Sequence, residues 1–434
     1  MAKDTDRSLQ GKIIYSIFVR DHTEEGTFLS VIGDLDRIRA LGTDIIWFLP
    51  IHPIGEKEKK GSLGCPYANR DYRSTNPAYG SMEDFRKLAE EIHARGMKVM
   101  IDVVYNHTSP DAVLLQEHPE FYYRDAEGHT GNKIGDWADV IDLDYNCRAL
   151  WDYQIESLCM WAEIVDGFRC DVASFVPVEF WKAARKAVSQ VRPGCIWLAE
   201  TVHLAFGNYA RSSGFYSSRD SEAFEAFDIE YQYDVWECFE RYLRGEAQLS
   251  AWTELLDFQE AVYPENYNKL RYLENHDQPR IRDRVRTEQD LENYTAMLYF
   301  LKGTTLLYAG QEFSCTHKPS LFEREVIRRD GQDISPYLQK LGEIKKTVFS
   351  PEDSFTARAD DAHHIAVMER SRNGKKTVGV FSLRSKRASV KVEIPDGMYE
   401  NLIDGTAVEV RDSLLRCSGR PILLCVQEKP AEKH

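Results

Sequence analysis

The chain has 434 residues, 43% of them hydrophobic, which is enough for a large core and for more than one domain. Its 70 acidic residues outweigh its 55 basic residues and give a formal net charge of −15 at pH 7. Such a charge repels nucleic acid and anionic membrane surfaces, so we expect neither as a partner, while the oligomeric state stays unknown.

The N-terminal segment is polar and leads directly into the first predicted strand. Its first eight residues, MAKDTDRS, contain no apolar signal region, and no run in the chain reaches the length of a membrane span. The nine cysteines are scattered, odd in number and without the spacing of metal ligands, which is typical of reduced thiols. Together these features predict a cytoplasmic protein.

Short apolar runs alternate with amphipathic helical segments over the first 350 residues. Between the second and third runs, for example, Ser81 and Asp84 open a segment whose apolar residues recur on one side, the pattern of a capped helix. This alternation predicts an α/β protein, a (β/α)8 TIM barrel formed by residues 1–107 and 166–352. The predicted strands are 12–19, 44–49, 98–104, 167–172, 195–199, 226–231, 269–274 and 304–308.

The pattern changes after about residue 352. Short alternating runs at 364–368, 377–381 and 390–394 are separated by Asn-Gly and Asp-Gly turn signals. This is typical of antiparallel strands with one buried face. We therefore predict a C-terminal β-sandwich domain over residues 353–434.

Acidic residues stand at the C-terminal ends of several predicted strands. In the run DGFRCDV at 166–172, the period of two places Arg169 and Asp171 on the same face. A guanidinium beside a carboxylate keeps it ionised near neutral pH, as a nucleophile requires. Glu200 and Asp277 end two further runs. Because the C-terminal ends of barrel strands meet at one mouth, we expect the three acids to converge there.

Four ordered segments carry a resemblance to a known family. They read DVVYNH at 102–107, GFRCD at 167–171, E at 200 and NHD at 275–277. This set resembles the signature regions of the α-amylase family of retaining glycoside hydrolases and transglycosylases. Supporting similarity runs through 42–50, 66–72, 142–146 and 303–312, so the resemblance covers almost the whole chain. It also implies that 108–165 is a short inserted domain after the third strand, walling one side of the cleft.

The resemblance implies a role for each of the three acids. Asp171 is the nucleophile that attacks the anomeric carbon, and Glu200 is the general acid and base. This chemistry needs the two carboxyl groups about 5–5.5 Å apart, one ionised and the other protonated. Asp277 corresponds to the third acid, which gathers the 2- and 3-hydroxyls of the sugar and favours its distorted ring.

The resemblance also implies the residues that bind substrate. His107 and His276 donate hydrogen bonds to hydroxyls of one sugar, and Tyr67 stacks on that sugar. Arg169 keeps the nucleophile charged. Asp102 supports Arg169 and the neighbouring loops without touching substrate.

The sequence departs from the family pattern beside the nucleophile. Ser174 and Phe175 stand where many α-amylases have a Lys-His pair that shapes the acceptor side and helps to hold calcium. We therefore expect that no cofactor is required. If calcium is bound, Asn106 is the candidate ligand, because hard calcium needs several oxygens. Its candidate partners are Asp136, Asp139, Asp142 and Asp144.

A charged run, EKEKKG at 56–61, precedes Tyr67. It is either a lid that closes over the sugar or a solvated loop, and the composition favours the loop.

The function that this pattern favours is hydrolysis of α-1,4-glucosidic bonds in maltodextrins or starch by double displacement, with an α-glucan oligosaccharide as the partner. A transglycosylase or a sucrose- or trehalose-acting enzyme of the same family is the alternative, because these enzymes share the catalytic residues. A catalytically inactive glucan-binding protein is the remote alternative, since it would be expected to have lost an acid. The sequence leaves open the preferred glucan length and endo or exo action.

Overall fold

The computed structural model describes residues 2, 4–135 and 137–427, and its centre is a closed barrel of eight parallel strands. The strands follow the order β1-β10-β9-β8-β7-β6-β3-β2 around the ring. All eight predicted barrel strands are confirmed, and some end earlier than predicted. In chain order β1 to β10 are Ile13–Ile17, Ile45–Phe48, Lys98–Val103, His107–Thr108, Ile141–Asp142, Gly167–Cys170, Ile196–Ala199, Ile229–Tyr231, Lys269–Arg271 and Thr304–Tyr308.

Helices surround the barrel and connect its strands. The helix predicted after Ser81 is present, and Ser81 and Asp84 form a reciprocal capping box at its start. Its apolar side is fully buried against the barrel, as the 3.6-residue period requires. In chain order α1 to α14 are Val19–His22, Phe28–Ile32, Leu35–Ala40, Met82–Ala94, Val113–Glu117, Arg148–Ala162, Val178–Val191, Leu204–Ser212, Asp220–Ala223, Tyr233–Arg244, Leu249–Val262, Ile281–Arg284, Glu288–Phe300 and Ser335–Thr347.

The segment after β3 leaves the barrel and returns to it. Its strands β4 and β5 form a two-stranded antiparallel sheet in which His107 pairs with Asp142. Helix α6 then leads into β6 and packs against α7. The range 108–165 therefore contains both a protruding sheet and a helix of the outer layer, and its boundaries as an inserted domain stay a prediction.

The predicted C-terminal β-sandwich is confirmed. Two four-stranded antiparallel sheets, β11-β12-β13-β18 and β14-β17-β16-β15, pack on a shared apolar core. Along β12 the period of two is visible, because Ile365 and Val367 face that core whereas Ala366 and Met368 face the barrel. In chain order β11 to β18 are Ser354–Asp360, Ile365–Arg372, Lys375–Ser382, Ala388–Lys391, Gly397–Glu400, Ala407–Arg411, Leu414–Cys417 and Ile422–Gln427.

Two further observations bear on the cellular setting. Across the described residues, no helix has both the length and the apolar character needed to cross a membrane. All nine cysteines lie in the described part of the chain, and each is a free thiol. The cytoplasmic location stays a prediction.

Candidate active site

A single arginine organises the acidic residues at the C-terminal mouth of the barrel. Arg169 lies on β6 and is fully buried. Its Nη1 donates to Asp102 Oδ1 over 2.9 Å and to Asp171 Oδ1 over 2.7 Å. Its Nη2 lies 2.8 Å from Glu200 Oε2. One guanidinium therefore balances three buried carboxyl groups, and parallel pairing of β3 with β6 sets Asp102 opposite Arg169.

The pKa values of the two expected catalytic acids differ in the direction that the chemistry needs. Burial raises the pKa of Asp171 to about 6, although Arg169 opposes this shift. Burial raises the pKa of Glu200 to about 7, again against the pull of Arg169. Both carboxyl groups contact the Arg169 guanidinium, Asp171 at 2.7 Å and Glu200 at 2.8 Å. The pair thus combines an acid that ionises first with a neighbour that keeps its proton longer.

A strained turn follows Asp171 and holds Glu200. Val172 has φ +35° and ψ +44°, which is the left-handed region that a β-branched residue rarely adopts. In this conformation the Val172 amide donates to Glu200 Oε2 over 2.9 Å, and the Ala173 amide donates to the Glu200 carbonyl oxygen. The strain therefore coincides with a backbone contact that fixes the side chain of Glu200.

Asp277 lies at the other side of the same network. His276 Nε2 is 3.1 Å from Asp277 Oδ2, and Asn275 Oδ1 accepts the Asp277 amide over 2.8 Å. Burial opposes ionisation, but His276 and Arg169 hold the pKa of Asp277 at about 2. The Asp277 side chain is 38% exposed, against 9% and 11% for Asp171 and Glu200. Asp277 is thus an ionised carboxylate open to the cleft.

Tyr67 lies between Asp102 and His276 and contacts both. Its hydroxyl lies 3.0 Å from Asp102 Oδ2 and 2.7 Å from His276 Nε2. The rings of Tyr67 and His276 stack with centroids 5.6 Å apart. His107 lies on β4, with its ring 5.8 Å from the Trp137 ring and its Nδ1 3.2 Å from the Asn106 amide nitrogen. Burial lowers the pKa of His107, which favours the neutral ring.

The structure contains further contacts that the sequence pattern did not identify. The Tyr233 hydroxyl lies 3.4 Å from Glu200 Oε1, and Lys318 Nζ donates to the Asp277 carbonyl oxygen over 3.0 Å. The rings of Trp47 and Tyr231 each lie 5.4 Å from the Arg169 guanidinium carbon. Trp47 and Tyr231 fall inside predicted strands, so the inward alternation of barrel strands was the signal available for them.

The proposed calcium ligands do not form a cation site among the residues that the structure describes. Asp136 lies outside those residues. Lys133 Nζ donates to the Leu143 carbonyl oxygen, and burial lowers the pKa of Lys133 while the charges of Asp142 and Asp144 oppose that shift. Asn106 donates to Asp142 Oδ1, so its amide nitrogen points at the carboxylate.

A lysine supplies the positive charge for one of these acids. Lys60 Nζ lies 2.7 Å from Asp139 Oδ1, so that carboxylate has an ammonium partner. Within the described chain no group of three or more His, Cys, Asp or Glu residues has the arrangement of a metal site. The candidate ligands that the structure describes therefore do not form a calcium site, and the absence of a cofactor requirement stays a prediction.

Comparison with known families decides the assignment. The model of the α-amylase catalytic domain matches residues 4–139 and 134–363, and that of the bacterial α-amylase C-terminal domain matches 356–424. The chain belongs to the α-amylase family. Members of the α-amylase family are glycosidases that act on O-glycosyl bonds, which confirms the enzyme class and the resemblance seen in the four sequence segments.

Individual relatives support the same family assignment. The crystal structure of an α-amylase from Lactobacillus plantarum is 42% identical and covers 97% of this chain and 100% of its own, with a TM-score of 0.93. The α-amylase MalA of Haloarcula japonica is 27% identical over 319 residues, 70% of this chain and 44% of MalA. A Pseudomonas aeruginosa α-1,4-glucan:maltose-1-phosphate maltosyltransferase is 32% identical over 212 residues, 43% of this chain and 32% of that protein. The chain thus spans less than half the length of these two curated relatives.

Proposed function

We propose that the protein hydrolyses α-1,4-glucosidic bonds of maltodextrins or starch with retention of configuration. The observation that carries this proposal is the Asp171–Glu200 pair, which shares one guanidinium and has pKa values of about 6 and 7. Between these values Asp171 is mostly ionised and Glu200 mostly protonated, as a double displacement requires. Identity of 42% with an α-amylase across 97% of the chain supports the choice of substrate.

The first displacement forms a covalent glycosyl-enzyme. The Asp171 carboxylate attacks the anomeric carbon while Glu200 gives its proton to the glycosidic oxygen, so that the bond to the leaving sugar breaks. Glu200 is then ionised, and the Val172 amide and the Arg169 guanidinium beside it stabilise that charge. Both carboxyl groups lie against one guanidinium, and this pairing supports direct attack by Asp171 on the carbon.

The second displacement releases the sugar. Ionised Glu200 takes a proton from water, the water oxygen attacks the same carbon, and the bond to Asp171 breaks. Throughout, Asp277 is the exposed carboxylate that accepts hydrogen bonds from the sugar hydroxyls. Those bonds accelerate the reaction to the extent that they strengthen as the ring acquires positive charge.

Transfer to a sugar acceptor is the second candidate function. The observation that favours it is 32% identity with maltosyltransferases over 212 and 196 residues. In such a reaction an acceptor hydroxyl replaces water in the second displacement, and every residue named above keeps its role. The absence of a Lys-His pair at Ser174 and Phe175 alters the acceptor side, where the two reactions differ.

Product analysis tests the proposal. Maltohexaose, soluble starch and sucrose are incubated separately with the protein, and samples taken over time are separated by chromatography. We expect shorter maltooligosaccharides from the first two substrates and no product longer than maltohexaose. Products longer than the substrate would favour transfer. Action on sucrose alone would contradict the proposal.

A further inference from the structure

Residues 55–64, which we name the strap, cross from one wall of the cleft to the other. At one wall, the Glu56 amide donates to Asp111 Oδ2 over 3.1 Å and Lys60 pairs with Asp139 at 2.7 Å. Both acids belong to the segment between β3 and β6. The strap includes the charged run for which composition favoured a solvated loop, yet it is anchored to folded structure.

The opposite wall is the loop after β10. The Ser62 amide donates to Glu323 Oε1 over 2.8 Å, its hydroxyl donates to Glu323 Oε2, and the Leu63 amide donates to the Phe322 carbonyl oxygen over 3.0 Å. Gly61 has φ +65°, and a Cβ there would lie 2.6 Å from Phe322 and Glu323. The strap is therefore packed closely against this wall.

The order of strands places the strap across the barrel from Glu200. The strap follows β2 and binds the loop after β10, and these two strands flank β1 in the ring. Glu200 follows β7, which is four strands from β1 in either direction. The leaving sugar departs on the side of its proton donor, so the strap lies at the opposite end of the cleft.

The strap also ends beside the reacting groups. Cys65 follows it directly, and burial, with Asp139 and Asp171 adding to the effect, raises the pKa of that thiol to about 12. Two residues further on, Tyr67 contacts Asp102 and His276. No long segment separates the strap from the sugar that Asp171 would attack.

We propose that the strap closes the donor end of the cleft, the end that holds sugars on the non-reducing side of the cleaved bond. The enzyme then acts on chain ends and releases short products instead of cleaving within long chains. Lys60, Ser62 and Glu323 are the positioning residues that keep the strap across the cleft. This inference rests on the proposed hydrolysis of α-glucans and adds the direction from which a chain enters.

A capped substrate tests this inference. Maltoheptaoside is supplied with a free non-reducing end, or with that end blocked by a 4,6-acetal, and the two hydrolysis rates are compared at equal concentration. The variants are Lys60→Ala, Glu323→Ala and the double variant, with Glu352→Ala as the control. Glu352 is an exposed acid that pairs with Arg372 of the C-terminal domain and has no contact with the strap in the described structure, so its loss leaves the strap unchanged. Circular dichroism checks that each variant is folded.

We expect the wild-type protein to hydrolyse the free substrate and to leave the capped one almost untouched. Loss of both strap contacts should raise the ratio of capped to free rates about tenfold, the effect of two partly exposed ion pairs or hydrogen bonds. The single variants should give smaller increases, and they decide the matter if the double variant does not fold. The control should match the wild type.

Three results would overturn the inference. Equal wild-type rates on both substrates would refute a closed donor end while leaving the proposed hydrolysis intact. An unchanged ratio in the folded strap variants would show that the strap is not the barrier. Hydrolysis of neither substrate would refute the proposed function and this inference with it.

Discussion

Two groups of acidic residues differ in the cation that lies near them. In the first, Arg169 holds Asp102, Asp171 and Glu200 with its two terminal nitrogens. In the second, in the segment after β3, the Lys133 amide donates to Asp142 Oδ2 over 2.7 Å, and Lys133 Nζ donates to the Leu143 carbonyl oxygen. The cation thus contacts the carboxyl groups directly in the first group, whereas in the second it contacts a backbone oxygen.

The geometry of the cation explains the difference. A guanidinium is planar and binds from one edge, so it neutralises carboxyl groups while leaving oxygens free to react. An ammonium is a compact charge with three rotatable donors. The Arg169 cluster therefore keeps a reactive pair with raised pKa values, whereas burial lowers the pKa of Lys133 and the charges of Asp142 and Asp144 oppose that shift.

The largest effect on activity is expected from substitution of Asp171 or Glu200. Asp171→Asn and Glu200→Gln should each lower kcat by at least about 10²–10⁴-fold, because each removes a group that makes or breaks a bond. Steady-state kinetics on maltohexaose measures the loss, and circular dichroism checks the fold. Asp412→Asn is the matched control, since Asp412 is an exposed acid in the C-terminal domain. If either site variant kept more than about a tenth of the activity, its assigned role would be wrong.

A substitution in the second group of acids and their cation should lower the stability of the protein. Lys133→Met removes an ammonium whose charge favours the ionised form of the buried Asp142. We expect the free energy of unfolding in urea to fall by about 1–3 kcal/mol, the cost of leaving a buried polar group without its partner. Lys182→Met is the control, because Lys182 is exposed on α7. Equal stability of the two variants would remove Lys133 from this role.

The pH dependence should report the reactive pair. Activity requires ionised Asp171, so kcat/KM should rise as the pH increases through about 6. It also requires protonated Glu200, so kcat/KM should fall as the pH increases through about 7. Rates on maltohexaose across the pH range give both limbs. A profile that stays flat above the pKa of Glu200 would mean that another group donates the proton.

The smallest effect is expected from chelation. Dialysis against EDTA should leave kcat/KM unchanged, because Lys60 already pairs with Asp139 and the Asn106 amide already donates to Asp142. The assay compares dialysed protein with and without added calcium. Loss of activity that calcium alone restores would show that the carboxylates of this segment bind metal in spite of these contacts.

The barrel and the acids could be predicted from the sequence because they follow from local patterns. Contacts between residues that are distant in the chain could not be predicted. Strand periodicity and strand ends are local, so the runs around Arg169 and Glu200 could be located and their convergence inferred. The partner of Asp139 is Lys60, 79 residues away in the chain, and no local pattern links two such residues. The left-handed conformation of Val172 runs against the preference of its residue type, so it too could not be predicted.

The anomeric configuration of the first product tests the central claim most directly. Two displacements at one carbon restore its configuration, and the pairing of Asp171 and Glu200 on one guanidinium supports the covalent route. Proton NMR of a maltohexaose digest, recorded before mutarotation, distinguishes the two anomers. The account predicts that the new reducing end appears first as the α-anomer. A β-anomer appearing first would mean that Asp171 activates water, and the double displacement would have to be abandoned.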